Sequence, residues 1–264
     1  MFASIIEGIC YGYNSILNRP VKGINIVVIA WTNGDISIPI KFKVWVNRKT
    51  SGPLYKKKTC LAKELISEVA DKIKYDFLLM DGLYSSLDMI NFCLRNCIRF
   101  IMRIHRNRCI ISPDGKRVQL QNCKDLKFMR NERTKVICAY YHGEKYYFIA
   151  EKFKNKKGEI EIRFFISNVF LQPKEYVNIY NKRWKIEETF RTMKQSLGIN
   201  DCQCISFKKQ ELHIFAIFAA FSFLQYLKYH YKRKISTEKI ISQFRWQKRP
   251  FPDVVFNDWK GTFM

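Results

Sequence analysis

Between residues 24 and 104 the apolar residues switch repeatedly from a period of two to a helical period, and this alternation restricts the fold most strongly. INIVVIAW and ISIPIKFKVWV, two β-branched runs, flank Asn33-Gly34, so residues 24–46 are expected to form a β-hairpin. Residues 59–76 place Leu61, Leu65, Val69 and Ile73 on one helical stripe. FLLM follows, then Asp81 and Gly82, which reads as a short buried strand with a carboxylate at its C-terminal end. Residues 86–97 read as a second helix and residues 99–104 as another strand. The order β-β-α-β-α-β is an α/β signature.

The pattern changes after residue 104. ICAYYHGEKYYFIAEKF reads as two strands around a His-Gly-Glu-Lys turn, and EIEIRFFIS as a third, which makes residues 105–168 a β-rich insertion. Pro173 opens a helical stretch that runs to Leu197, with Gly198 as its C-cap. A second helix is expected over residues 208–228. It is apolar on most sides and so is expected in the core. Residues 229–264 mix basic and aromatic groups with Pro250 and Pro252 and read as a partly ordered basic tail. The expected divisions are thus 1–104, 105–168, 169–228 and 229–264.

Of 264 residues 47% are apolar, enough for a sizeable core. Lys and Arg total 47 against 23 Asp and Glu, a formal charge of +24 that points to a polyanionic partner, with nucleic acid first among candidates. Nine cysteines lack any CxxC pair and four histidines are scattered, which excludes a zinc site of the usual spacing and suits reduced thiols in the cytoplasm. The start, MFASIIEGIC, has no basic segment ahead of its apolar residues, unlike a secretory signal. The apolar run over residues 214–226 is too short by itself to span a bilayer, and no membrane partner is expected.

One helix concentrates chemistry. In YNKRWKIEETFRTMK, at about 100° per residue, Tyr180, Arg183, Glu187 and Lys194 fall within a face of roughly 60°. Ile179, Ile186, Phe190, Met193 and Leu197 form the adjacent apolar arc, and Glu188 points elsewhere. An amphipathic surface helix with incidental charges is the plain alternative. Two carboxylates from different elements, Asp81 and Glu187, can hold Mg²⁺ and leave positions open for phosphate. Arg183 and Lys194 would then neutralise a nucleic-acid backbone, and Tyr180 would bond a phosphate oxygen. A basic RNA-binding module needs exposed aromatic platforms, whereas the aromatics here follow core periods. Trp184 is expected to pack beneath the insertion, and His105 to lie in a solvated basic loop.

Tyr180, Arg183, Glu187 and Lys194, at their three spacings, resemble the Tyr-Arg-Glu-Lys signature of DDE transposases of the insertion-sequence-4 group. Asp81-Gly-Leu-Tyr84-Ser85 is similar to that family's second-aspartate motif, and the similarity spans residues 3–228. The resemblance implies a ribonuclease-H-like core with a β-rich insertion. It implies DNA cleavage and strand transfer with two Mg²⁺ or Mn²⁺ ions, on transposon ends and target DNA, by an enzyme that can act as a homodimer. Asp81 and Glu187 would be the second and third metal ligands, with Tyr180, Arg183 and Lys194 on the transposon-end backbone. The family's first aspartate belongs on a strand ahead of the hairpin. No aspartate precedes Asp35, which reads as a turn residue. The expectation is an N-terminally truncated chain that lacks its first core strand, with reduced activity, or else an inactive DNA-binding remnant.

Overall fold

The computed structural model describes residues 7–14, 19–48, 52–155, 157–230 and 236–246. Four strands come first: β1 (Cys10–Asn14), β2 (Arg19–Gly23), β3 (Asn25–Thr32) and β4 (Ser37–Trp45). They form two separate antiparallel hairpins, β1-β2 and β3-β4. The second is the hairpin expected from the sequence. Asn33 closes its turn by accepting from the Asp35 and Ile36 amides at 2.9 and 3.0 Å, so exposed Asp35 is the turn residue it was expected to be. The β1-β2 hairpin was not foreseen, because CYGYN and RPVKG lack both alternation and a recognisable turn pair.

Helix α1 (Lys58–Val69), strand β5 (Leu78–Met80), helix α2 (Leu87–Arg95) and strand β6 (Phe100–Ile104) follow in the expected order. Ser86 caps α2 by accepting from the Met89 amide at 3.2 Å, and Asp88 in the first turn suits the positive helix end. Strands β5 and β6 pair in parallel.

Residues 105–168 hold β7 (Cys109–Ile111), β8 (Arg117–Gln119), β9 (Thr134–Tyr141), β10 (Glu144–Lys154) and β11 (Ile160–Ser167). The expected turn in HGEK has His142 and Gly143 at φ +52° and +87°, the pair of positive values that a tight hairpin requires. These strands are continuous with the core strands in one sheet. Strand β11 pairs antiparallel with β6, giving one seven-stranded mixed sheet ordered β5-β6-β11-β10-β9-β7-β8. Side chains alternate across it: Phe100, Met102, Phe148 and Ile166 pack toward α1 and α2, while Ile101, Ile149 and Phe165 pack on the other face.

That other face is covered by α3 (Pro173–Asn181), whose Tyr176 and Tyr180 are buried there. Its start is fixed by Pro173 at the first position and by the Gln172 amide, which donates to Glu175 Oε2 at 2.8 Å. A 3₁₀ turn over Lys182–Trp184 separates α3 from α4 (Lys185–Ser196). Gly198 at φ +71° ends α4 as expected.

Helix α5 (Phe207–His230) is 24 residues long, longer than its apolar run suggested, and is long and apolar enough to cross a membrane. Among the described residues one stripe of it is covered: Ile214, Phe218 and Phe221 pack on β3, β4 and α4, with Phe42 and Phe218 edge to face at 5.2 Å. Leu212 and Phe215, away from that stripe, are 65% and 63% exposed, so the helix lies at the edge of the core rather than within it, where it was expected. Helix α6 (Thr237–Trp246) lies inside the expected tail. It docks through Ile240 and Ile241 on Leu224, and Glu238 bonds Thr192 of α4. The remainder of the tail, 247–264, lies outside the described residues.

Candidate active site

Asp81 follows the last residue of β5, at the end where α2 begins, a position common to ligand sites in parallel sheets. The following turn holds it. Leu83 N–H donates to Asp81 Oδ1 at 2.9 Å, and Ser85 Oγ donates to the Gly82 carbonyl at the same distance. Its carboxylate is half-buried. Burial, together with the Asp81 charge, pushes the Tyr84 phenol up to about 12.

The second group arrives from α3 and α4, and the 3₁₀ turn between them sets its geometry. At Asn181, Lys182, Trp184 and Lys185 the φ values lie near −60° and ψ between −22° and −28°, the tighter 3₁₀ winding. Each such residue turns about 20° further than an α-helical one. The single 180–194 face read from the sequence is therefore twisted, with the Arg183 guanidinium still over the Tyr180 ring at 5.6 Å. Tyr180 rotates into the core, only 3% exposed, while Arg183, Glu187 and Lys194 stay at or near the surface.

Tyr180 is the anchor. Its hydroxyl donates to the Met80 carbonyl at 3.2 Å, one residue before Asp81, and its ring packs on Phe165 at 4.5 Å. Burial raises its pKa, with opposing contributions from Arg183 (lowering) and Asp81 (raising). Helix α3 is thereby fastened to the end of β5. Arg183, three residues on, donates from Nη2 to Glu187 Oε1 at 2.8 Å. Burial disfavours its cation, but Tyr180, Glu187 and Asp81 outweigh that and hold its pKa above the ordinary value. Arg183 thus bonds the Glu187 carboxylate and feels the charge of Asp81. Its Nε is buried without a hydrogen-bond partner among the described residues.

Lys194 is exposed two turns beyond Glu187, about 10 Å along α4. Glu188 pairs instead with Lys185 at 2.7 Å. Trp184 is 46% exposed and does not pack beneath the β-rich strands, a correction that follows from the same 3₁₀ turn. His105 is exposed at the end of β6, yet it lies beside the Asp81 turn: its Nε2 is 3.5 Å from where a Cβ on Gly82 would stand. Arg103, whose charge acts on Tyr180, is on the same edge. The sequence reading did not select Arg103. The parallel pairing of β5 with β6 is the signal that could have done so, since it brings both strand ends to one side of the sheet.

Asp81 and Glu187 are the residues that could hold a divalent cation. Carboxylate oxygens suit Mg²⁺ and Mn²⁺, which accept one or two protein carboxylates and complete their shells with water and phosphate. Glu187 would exchange its Arg183 partner for the metal. Among the described residues no third His, Cys, Asp or Glu joins them. Comparison with curated protein sequences returns no match. The model of the transposase DDE domain matches residues 57–223, from the start of α1 through most of α5 and across both carboxylate-bearing elements. The chain belongs to the transposase DDE domain family.

Proposed function

We propose that this chain is a DNA phosphoryl-transfer protein of the insertion-sequence-4 group. In this reading Asp81 and Glu187 bind Mg²⁺ or Mn²⁺, and the cationic surface around α4 binds transposon-end DNA. The observation that carries the reading is the Tyr180–Met80 hydrogen bond, which fastens α3, the helix that leads through the 3₁₀ turn to Glu187, to the strand end that bears Asp81. The ribonuclease-H-like character of the core is supported by the order hairpin, helix, parallel β5 and β6.

The bound metal would supply Lewis acidity at the scissile phosphate. The protein side of the chemistry is positional. Asp81 and Glu187 fix where the cation sits, the orphaned Nε of Arg183 offers a donor to an incoming oxygen, and Lys194 holds backbone charge further along the strand. Tyr180 acts from beneath, as the strut that sets the distance between the two carboxylates. A homodimer on DNA, acting in the cytoplasm on nucleoid DNA, completes the proposal.

A second reading has its own support. In it the formal charge of +24 serves DNA affinity alone, and the chain binds transposon ends without cutting them efficiently. Asp81→Asn separates the two. In gel-shift and plasmid-nicking assays with Mn²⁺, the enzyme reading expects cleavage to disappear while DNA affinity stays within about twofold, since one acid is removed from a phosphate-facing site. Equal nicking by wild type and variant would remove the catalytic assignment. DNA binding with no nicking by either would leave the binding reading.

A further inference from the structure

The tyrosines of β9 and β10 divide by register. Tyr141 and Tyr146 are buried in the core beneath α1 and α2. Tyr140 and Tyr147 point to the opposite face, the one that α3 covers around Ile149 and Phe165. Helix α3 stops short of the distal strands. Tyr140 is 50% exposed, and so is 61% of Phe170, whose ring lies 5.4 Å from that of Tyr147. Tyr140 and Tyr147 are diagonal neighbours about 7–8 Å apart, so the three rings form one aromatic line.

Charge lies beside that line. Directly paired residues share a face, and Arg117 pairs with Ile111, Ile111 with Tyr140, and Tyr140 with Lys145. All four are exposed in one row about 14 Å long, with a cation at each end and no acid. Glu144, next to Lys145 in the chain, points to the other face, where its charge acts on Tyr146. An apolar polypeptide would set both cations against apolar groups, and duplex DNA keeps its base faces covered. A single strand offers bare bases to the rings and phosphates to the cations, as on other sheets that stack two or three bases. We infer that this face binds an unpaired DNA strand, with bases stacked on Tyr140 and Phe170 and phosphates neutralised by Lys145 and Arg117. The choice of DNA over RNA rests on membership of the transposase family and so on the proposed function. The site itself is separate, since β9 stands four strands from β5 and roughly 19 Å from the strand that leads to Asp81.

The probe is a fluorescein-labelled thymidine 12-mer, titrated into the full chain beside a blunt duplex of the same length and followed by anisotropy. Tyr140→Ala with Phe170→Ala, its fold checked by circular dichroism, is expected to weaken single-strand binding about tenfold or more and duplex binding less than twofold. Tyr140→Phe with Phe170→Tyr keeps both rings and is expected to retain wild-type affinity. Lys145→Ala with Arg117→Ala is expected to make log affinity against log salt shallower by about 1.4, the effect of two phosphate contacts on a single strand. No single-strand binding, unaltered affinity in the alanine variant, or equal losses on single strand and duplex would overturn the inference. So would tighter binding of a uridine 12-mer, which makes RNA the ligand, or a dimer that the alanine variant dissolves, which makes the face a contact between copies. Single-strand binding with the expected losses, but no binding of duplex transposon ends, would support this site and count against the proposed function alone.

Discussion

Removing the Tyr180 hydroxyl tests whether this signature residue acts as a strut or as a DNA contact. Tyr180→Phe keeps the ring against Phe165 and deletes the bond to the Met80 carbonyl. A buried hydrogen bond contributes about 0.5–1.5 kcal/mol, and leaving its acceptor unsatisfied costs about 1–3 kcal/mol. A loss of about 1.5 kcal/mol is the reasonable centre, and for a chain of this size it lowers Tm by about 3–6 °C. Because the site stays electrostatically intact, affinity for transposon-end DNA should change little. Differential scanning fluorimetry and a salt-matched binding titration read the two quantities. An unchanged Tm together with a marked loss of DNA affinity would refute the strut, and would place the phenol against phosphate instead.

Two other outcomes follow from charge pairs. Glu151 and Arg163 face each other across β10 and β11, bonded through Nε at 2.5 Å and Nη2 at 3.1 Å, with Glu151 7% exposed. Arg163→Ala strands a buried carboxylate and is expected to cost about 3 kcal/mol in urea unfolding, much of which Glu151→Gln in the same chain restores. On the outer face Lys41 and Lys43 of β4 clasp Glu64 and Glu68 of α1 at 2.5–2.7 Å. Hydrogen bonds from Lys41 and Lys43 hold Glu68 down at about 2, and Glu64 is lowered by Lys43 and Lys56. A depressed carboxylate adds stability above its unfolded pKa and loses it as pH falls, so this contribution is complete above about pH 4.5 and gone near 2. Glu68→Gln should flatten the stability decline across that window, and an unaltered acid profile would show that the clasp contributes nothing.

The parts of the fold that the sequence revealed share one property: each depends on local pattern. Residues 24–104 alternate strictly, and Asn33-Gly34 and Gly198 carry turn chemistry of their own, so the hairpin, α1, β5, α2, β6 and the end of α4 were legible. What the pattern could not carry was pairing. Nothing in EIEIRFFIS states that β11 lies beside β6, yet that contact merges the β-rich strands into the main sheet. The apolar stretch around Phe215 looks the same whether it faces protein or solvent, which is why half of α5 was misplaced. The site divides in the same way. Residue type and spacing single out Asp81, Arg183 and Glu187 as candidates. The 3₁₀ turn was not legible, because Lys182-Arg183-Trp184 contains neither Gly nor Pro, and that turn buries Tyr180 and exposes Trp184. Arg103 and His105 reach the site only through strand pairing that no spacing encodes.

The central claim is that Asp81 and Glu187 serve a single cation. Mn²⁺ binding, read by electron paramagnetic resonance on the wild-type chain and on Asp81→Ala and Glu187→Ala, tests it without reference to cleavage. Each variant should bind about tenfold or more weakly, and the double variant scarcely worse than either, because removing one carboxylate already breaks a shared site. Wild-type affinity in either single variant, or losses that simply add in the double, would show that the two acids do not hold a metal together.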